Sequence, residues 1–155
     1  MINRPEITAK LSELVRKRLN SQNMYYSPEV TFDRGTPNER RIDFVGFKAF
    51  TPDLATDANS VELGRFECYE VKSCMADFKS GNGLTFYGDK NFLVTTKEFE
   101  QELYEKMMIP REVNGVLVPD KNWTKLYTKR LSFGTHRQRV SSEFLWEIVK
   151  AHDHY

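Results

Sequence analysis

The sequence predicts a single mixed α/β domain, one central sheet with helices on both of its faces. Three observations lead there. The first half carries strand-type segments joined by turn residues, so its strands connect as hairpins. The second half carries short apolar runs separated by a segment of helical period, so its strands connect through a helix. The length, 155 residues, suffices for one domain around one core, which assigns 1–155 to one unit.

Residues 5–20 predict an amphipathic helix. Pro5 suits a first helical turn, and Ile7, Leu11, Leu14, Val15 and Leu19 recur at helical spacing. Residues 25–26 read as loop and 29–33 as a first strand. The turn residues of Arg34-Gly35-Thr36-Pro37-Asn38-Glu39 return the chain as a second strand over 40–50. The polar stretch 51–60 predicts a loop whose acids are solvated, and 64–73 a third strand. Met75-Ala76-Asp77-Phe78-Lys79 opens a helical turn that Ser80-Gly81-Asn82-Gly83 ends. Residues 91–96 and 115–120 predict buried strands, with a helix over 97–108 between them that Pro110 stops. A further strand is expected over 123–131. A closing helix over 138–152 has Val140, Phe144, Leu145, Ile148 and Val149 as its apolar face.

Composition limits the functions open to this chain. Its net charge is +1, so any nucleic-acid site must come from local clusters of Lys and Arg. Aromatic residues make up 13%, which supports a well-filled core under a sheet. Two cysteines, Cys68 and Cys74, form no disulfide framework and no zinc pattern, which predicts a reduced, cytoplasmic protein. No signal-type segment and no run of membrane length is present.

The third strand is the unusual one. Side chains alternate along a strand, so Glu70 and Lys72 point to one face, ~7 Å apart, with Tyr69 and Val71 on the other. Charges in mid-sheet are costly. The pair is therefore an edge salt bridge or a site. Arg41-Ile42-Asp43-Phe44-Val45 sets one carboxylate among apolar residues on the preceding strand. Pairing of the two strands puts Asp43 and Glu70 ~5 Å apart between Cβ atoms. Two acids that close repel unless a cation lies between them; a divalent ion fits, with Lys72 beside it. Glu13, on the first helix, is either a solvated carboxylate or a third, water-mediated partner of that ion. Arg40, Arg41, Lys79 and Lys90 flank the expected site and are the candidate contacts to a nucleic-acid backbone. Lys129, Arg130, His136, Arg137 and Arg139 form a second basic cluster, readable as phosphate contacts or as a solvated turn. Tyr69 and Tyr87 read as core rings or as base-stacking platforms. His152 and His154 read as tail residues rather than as a ligand pair.

Asp43 on one strand and Glu70-Val71-Lys72 on the next, after a helix bearing Glu13, resembles the pattern of the PD-(D/E)xK nuclease superfamily, with Ile42-Asp43 where the superfamily's name has Pro-Asp. Glu70-Val71-Lys72-Ser73, Ala76-Asp77-Phe78, Tyr87-x-Asp89, Phe92-Leu93-Val94, Ile109-Pro110-Arg111-Glu112 and Gly115-Val116-Leu117-Val118 resemble the MmcB-like DNA-repair nucleases within it, over about residues 40–130. The resemblance implies a restriction-endonuclease-like fold. It also implies a Mg²⁺- or Mn²⁺-dependent deoxyribonuclease that hydrolyses DNA phosphodiester bonds in DNA repair or in the processing of mobile-element or phage DNA. Asp43 and Glu70 would hold the ion, with the Val71 carbonyl as a further oxygen ligand. Lys72 would orient or deprotonate the attacking water or stabilise charge on the phosphate. Asp77 would hold Lys72, or is simply a helix-start carboxylate. The expected partner is DNA, with no membrane, and with a homodimer or an accessory role beside another protein as the working forms. Two rivals remain. One is a nucleic-acid-binding or structural protein that keeps the fold without turnover. The other is a restriction-type or RNA-directed nuclease.

Overall fold

In the computed structural model, residues 3–51, 57–80, 84–132 and 136–153 are described. Helix α1 (Arg4–Ser21) starts where the Asn3 side chain accepts the Glu6 N–H, with Pro5 in the first turn; both features favour a helix start. Its buried stripe is Leu11, Leu14, Val15 and Leu19. Then come β1 (Tyr25–Phe32) and β2 (Arg40–Lys48) as an antiparallel pair, a short α2 (Ala58–Glu62), and β3 (Arg65–Val71) antiparallel to β2. A one-turn α3 (Met75–Lys79) leads to β4 (Lys90–Val94), which lies parallel to β3. Helix α4 (Lys97–Glu105) crosses to β5 (Gly115–Pro119), parallel to β4. β6 (Leu126–Leu131) returns antiparallel, and α5 (Ser141–Asp153) closes the chain. The sheet runs β1-β2-β3-β4-β5-β6. The expected mixed α/β architecture with flanking helices is therefore the one observed.

The two faces are covered differently. On one face, α1 packs its leucines on Phe44, Tyr69, Val71, Phe92, Val94 and Leu117. On the other, α5 lays Phe144, Ile148 and Ala151 on Val45, Phe66 and Cys68. Beside it, Phe78 of α3 and Phe99 and Leu103 of α4 cover Leu93 and Val116. Glu70 falls between Tyr69 and Val71 and is paired with Leu93 across the ladder, so it lies on the face opposite α1.

The alternation slips at Asp43. Phe44 belongs to the α1 side, yet Ile42, two residues earlier, belongs to the α5 side together with Val45 and Phe47. The same slip occurs across the ladder. Tyr26 packs on the α1 side, Val30 and Phe32 on the α5 side, and Glu29 between them has φ 50°. A left-handed residue without glycine is uncommon; here it turns both strands so that apolar residues keep to the covered face.

Several expectations are corrected in detail. Residues 25–26 are strand, not loop, because β1 is an edge strand and tolerates Pro28, which has no N–H to pair. Within the expected loop 51–60, residues 52–56 lie outside the described ones, but Asp57 caps α2 by accepting the Asn59 N–H. Of the expected helix stop, 81–83 also lie outside them. Helix α4 ends three residues early, as Met107 turns left-handed at φ 56° and the Met108 N–H closes onto Leu103. β6 starts at Leu126, since Asp120 ties Thr124 into a turn with Trp123 at φ 55°. Val140 and Val149 are exposed, not core; Phe144, Ile148 and Ala151 form the buried stripe of α5.

Candidate active site

The β2–β3 ladder ends at Phe44↔Tyr69. One further step of the same register sets Asp43 opposite Glu70. There the strands are held differently: Asp43 Oδ2 accepts the Val71 N–H at 2.8 Å. On the other side, the Lys72 N–H donates to the Val94 carbonyl at 3.0 Å. The N–H and C=O of one extended residue point to the same side, so the Val71 carbonyl is aimed toward the strand that carries Asp43.

Glu70 is 0% exposed, and neither of its carboxylate oxygens receives a hydrogen bond. Burial first, then the Asp43 charge, push its carboxyl well above the ordinary range, while Lys72 pulls the other way. The Asp43 carboxyl faces it as a second acceptor, which joins Glu70 by a hydrogen bond only when the two share a proton. Asp43 is half-buried, and its carboxyl is also raised, chiefly by burial, against the lowering effect of the Val71 N–H and of Lys72. A buried acid pushed up further by its neighbour's charge, as Glu70 is by Asp43, is the arrangement a bound cation relieves.

Lys72 is 4% exposed. Its Nζ lies 3.6 Å from Asp77 Oδ1 and 3.3 Å from the Asp77 carbonyl. Asp77 stands in the first turn of α3 and does three things at once. Its Oδ2 accepts the Ser73 N–H at 3.1 Å, and its Oδ1 accepts from Arg4 at 2.9 Å and faces Lys72. Both readings of Asp77, holder of Lys72 and helix-start carboxylate, thus describe it. Two further hydroxyls at the ends of β3 and β4, Ser73 Oγ and Thr95 Oγ1, are buried without a hydrogen-bond partner. Sequence reasoning missed Arg4, Ser73 and Thr95; a Ser directly after Glu-x-Lys was the one signal available.

The other candidates separate. Glu13 is not brought to the pair: α1 covers the opposite face, and the Glu13 side chain is 78% exposed with Arg16 as its ion partner at 3.8 Å. Arg40 and Arg41 are exposed at the start of β2, beside the end of β3, and the Arg41 charge reaches Asp43. Lys79 is exposed at the end of α3. Lys90 pairs with Glu67, three residues before Glu70, and so sits ~10 Å back along the strands, toward their other end. That removes it from the set flanking the site.

The three arginines of the second basic cluster are engaged in structural ion pairs. Arg137 binds Asp89 and the Gly64 carbonyl, Arg139 binds Asp33 and Glu143, and Arg130 binds the buried Glu100. Tyr69 is fully buried and donates to Glu67 at 2.6 Å, and Tyr87 packs on Phe32, so both are core rings. Cys68 is a buried free thiol, whereas Cys74, expected to be buried as well, is a free thiol that is only partly buried.

Among the described residues, no three His, Cys, Asp or Glu side chains group as a metal cage. The oxygen set on offer is Asp43, Glu70 and the Val71 carbonyl. It fits a hard cation that retains several waters, and the orphaned Glu70 oxygens are the observation behind that fit. No helix among the described residues is long and apolar enough to cross a membrane.

The fold and site define an α/β domain with a six-stranded mixed sheet and an acid pair, Glu70 buried and Asp43 half-buried, at the end of two neighbouring strands. No family model matches the chain, and no curated protein matches it. A solved structure, the SPO1766 protein of unknown function from Silicibacter pomeroyi, is similar with a TM-score of 0.61 at 21% identity, over 96% of this chain and 85% of that one. At that identity the likeness is one of fold.

Proposed function

We propose that the chain is a metal-dependent nuclease that hydrolyses DNA phosphodiester bonds, of the PD-(D/E)xK kind and close to the MmcB-like DNA-repair nucleases, with a restriction-endonuclease-like fold. One observation carries the reading. Glu70 is fully buried without a hydrogen-bond donor, one register step past the last pair of a ladder that sets it opposite Asp43. A buried carboxylate with no donor is expensive to keep, and a cation is what makes such a pair useful.

A bound Mg²⁺ or Mn²⁺ would lower the pKa of a water and offset charge on the phosphate. The protein's own groups supply the rest. The Val71 N–H holds Asp43 by one oxygen and leaves the other oxygen for the ion. Burial keeps bulk water from Glu70 and strengthens every charge interaction there. Asp77 holds the Lys72 ammonium near the acid pair. From there Lys72 can orient a water or take its proton at Nζ. Arg40 and Arg41 are exposed at the same end of the sheet, where a phosphate backbone approaching Asp43 would pass.

The test is incubation of the purified chain with supercoiled, linear, single-stranded and branched DNA in Mg²⁺, Mn²⁺ or EDTA. Cleavage that needs the ion and vanishes in Asp43→Ala and Lys72→Ala supports the reading. Cleavage that survives both substitutions overturns it. Tight DNA binding with no cutting of any substrate would favour the catalytically silent alternative, in which Lys72 serves only its ion pair with Asp77.

A further inference from the structure

We propose that Thr95 is a positioning residue for the same acid pair, its hydroxyl holding the Glu70 carboxylate through one buried water. This rests on the nuclease reading and adds a residue to it. Thr95 directly follows β4, is 0% exposed, and donates its N–H to the Leu117 carbonyl on β5. The parallel register pairs Glu70 with Leu93 and Val71 with Val94, so its next step sets Thr95 beside Lys72. By alternation its side chain lies on the face of Leu93, Glu70 and Lys72.

On that face three buried oxygens have no hydrogen-bond partner: Thr95 Oγ1 and both oxygens of Glu70. Native proteins seldom keep such groups without a reason, and an internal water is a common one. Diagonal neighbours on a sheet stand ~7–8 Å apart at the backbone. The glutamate arm and one water span that distance. A threonine hydroxyl both donates and accepts, so it can fix the water's orientation and, through it, the rotation of the carboxylate. Helix capping does not explain Thr95, because the cap of α4 is Thr96, whose hydroxyl accepts the Phe99 N–H at 3.1 Å. An ion held by Glu70 would bind more tightly to a carboxylate that cannot swing.

The experiment is Mn²⁺ binding without DNA, measured by titration calorimetry, on the wild type, Thr95→Val, Thr95→Ala and Thr95→Ser, with thermal melts in EDTA. Valine keeps the shape and removes the hydroxyl, alanine removes both, and serine keeps the hydroxyl. Loss of an outer partner of a ligand weakens metal binding by about tenfold or more. That loss is expected for valine and alanine, with serine within about twofold of wild type and the valine variant melting no lower than wild type. Wild-type affinity in Thr95→Val and Thr95→Ala overturns the role of Thr95 and leaves the acid pair standing. Equal weakening in Thr95→Ser also overturns it, since shape and not the hydroxyl would then matter. No Mn²⁺ binding by the wild type overturns the nuclease reading and this one together.

Discussion

The Asp43 carboxylate takes the Val71 N–H at 2.8 Å, where continued pairing would have offered a main-chain carbonyl. A side chain thus replaces a rung of the sheet just where the alternation of β2 slips. The consequence is an acid anchored by one oxygen beside a buried glutamate whose oxygens accept no hydrogen bond. The stability of the metal-free protein should therefore depend on pH in an unusual direction. Glu70 is raised well above its ordinary value of 4.5, and Asp43 above 3.8. A carboxyl raised on folding binds its proton more tightly in the native state, so stability falls as pH rises from the ordinary value toward the raised one. In EDTA, melts should drop from pH 5 upward, each group contributing a slope of at most about 1.4 kcal/mol per pH unit. Glu70→Gln should flatten that slope and raise the melting temperature at pH 7. Mn²⁺ should raise it in the wild type and not in Glu70→Gln. A wild-type protein that grows more stable over this range would contradict the arrangement.

Asp77 joins α1, β3 and α3 through Arg4, Lys72 and the Ser73 N–H. Asp77→Ala leaves a buried ammonium without this partner and a backbone N–H open. A loss of about 1–3 kcal/mol in denaturant unfolding is expected. In the cleavage assay the same variant should lower kcat more than it raises KM if Lys72 has the proposed role on the reacting water. A change in KM alone would assign Asp77 to binding.

The legible part of the site was the part that follows from strand period. Glu70 and Lys72 share a face because they are two residues apart. Asp43 meets Glu70 because a short turn fixes the β1–β2 hairpin and β3 returns beside it. What escaped was decided by tertiary structure. Nothing local marks Glu29 as left-handed, so the slip at Asp43 was invisible. Lys90 follows Glu-x-Lys closely enough to look adjacent, but the chain must run back along the sheet to start a parallel strand, which carries Lys90 to the far end. Glu13 sits at the edge of a correct helical stripe, and only the docking of α1 decides which face of the sheet it overlooks. Thr95 reads as one more β-branched strand residue until its hydroxyl is seen to lack a partner.

The α1 side supplies a control. Tyr69 donates to Glu67 at 2.6 Å, Arg65 binds the other Glu67 oxygen at 2.6 Å, and Arg18 reaches the Tyr69 hydroxyl at 3.4 Å. Tyr69→Phe removes a charge-assisted bond in a buried setting, with an expected cost of about 1–3 kcal/mol. Because Tyr69 points away from Glu70, its removal should leave Mn²⁺ affinity unchanged. Weakened Mn²⁺ binding in a well-folded Tyr69→Phe would mean that the two faces are coupled.

If the chain binds DNA as proposed, duplex binding should report which end of the sheet faces it. Every phosphate that a variant no longer neutralises makes the negative slope of log affinity against log salt shallower by about 0.9. Arg40 and Arg41 lie at the Asp43 end, whereas Lys90 lies near Glu67 and Glu13 is exposed on α1. In EDTA, to prevent cutting, Arg40→Ala with Arg41→Ala should flatten the slope by about 1 to 2. Lys90→Ala and Glu13→Gln should leave it as in wild type, and Glu13→Gln should shift stability by no more than about 0.5 kcal/mol. A Lys90→Ala variant that flattens the slope as much as the arginine pair would place the backbone at the far end of β4, out of reach of Asp43, and the acid pair would then need a purpose other than cutting DNA.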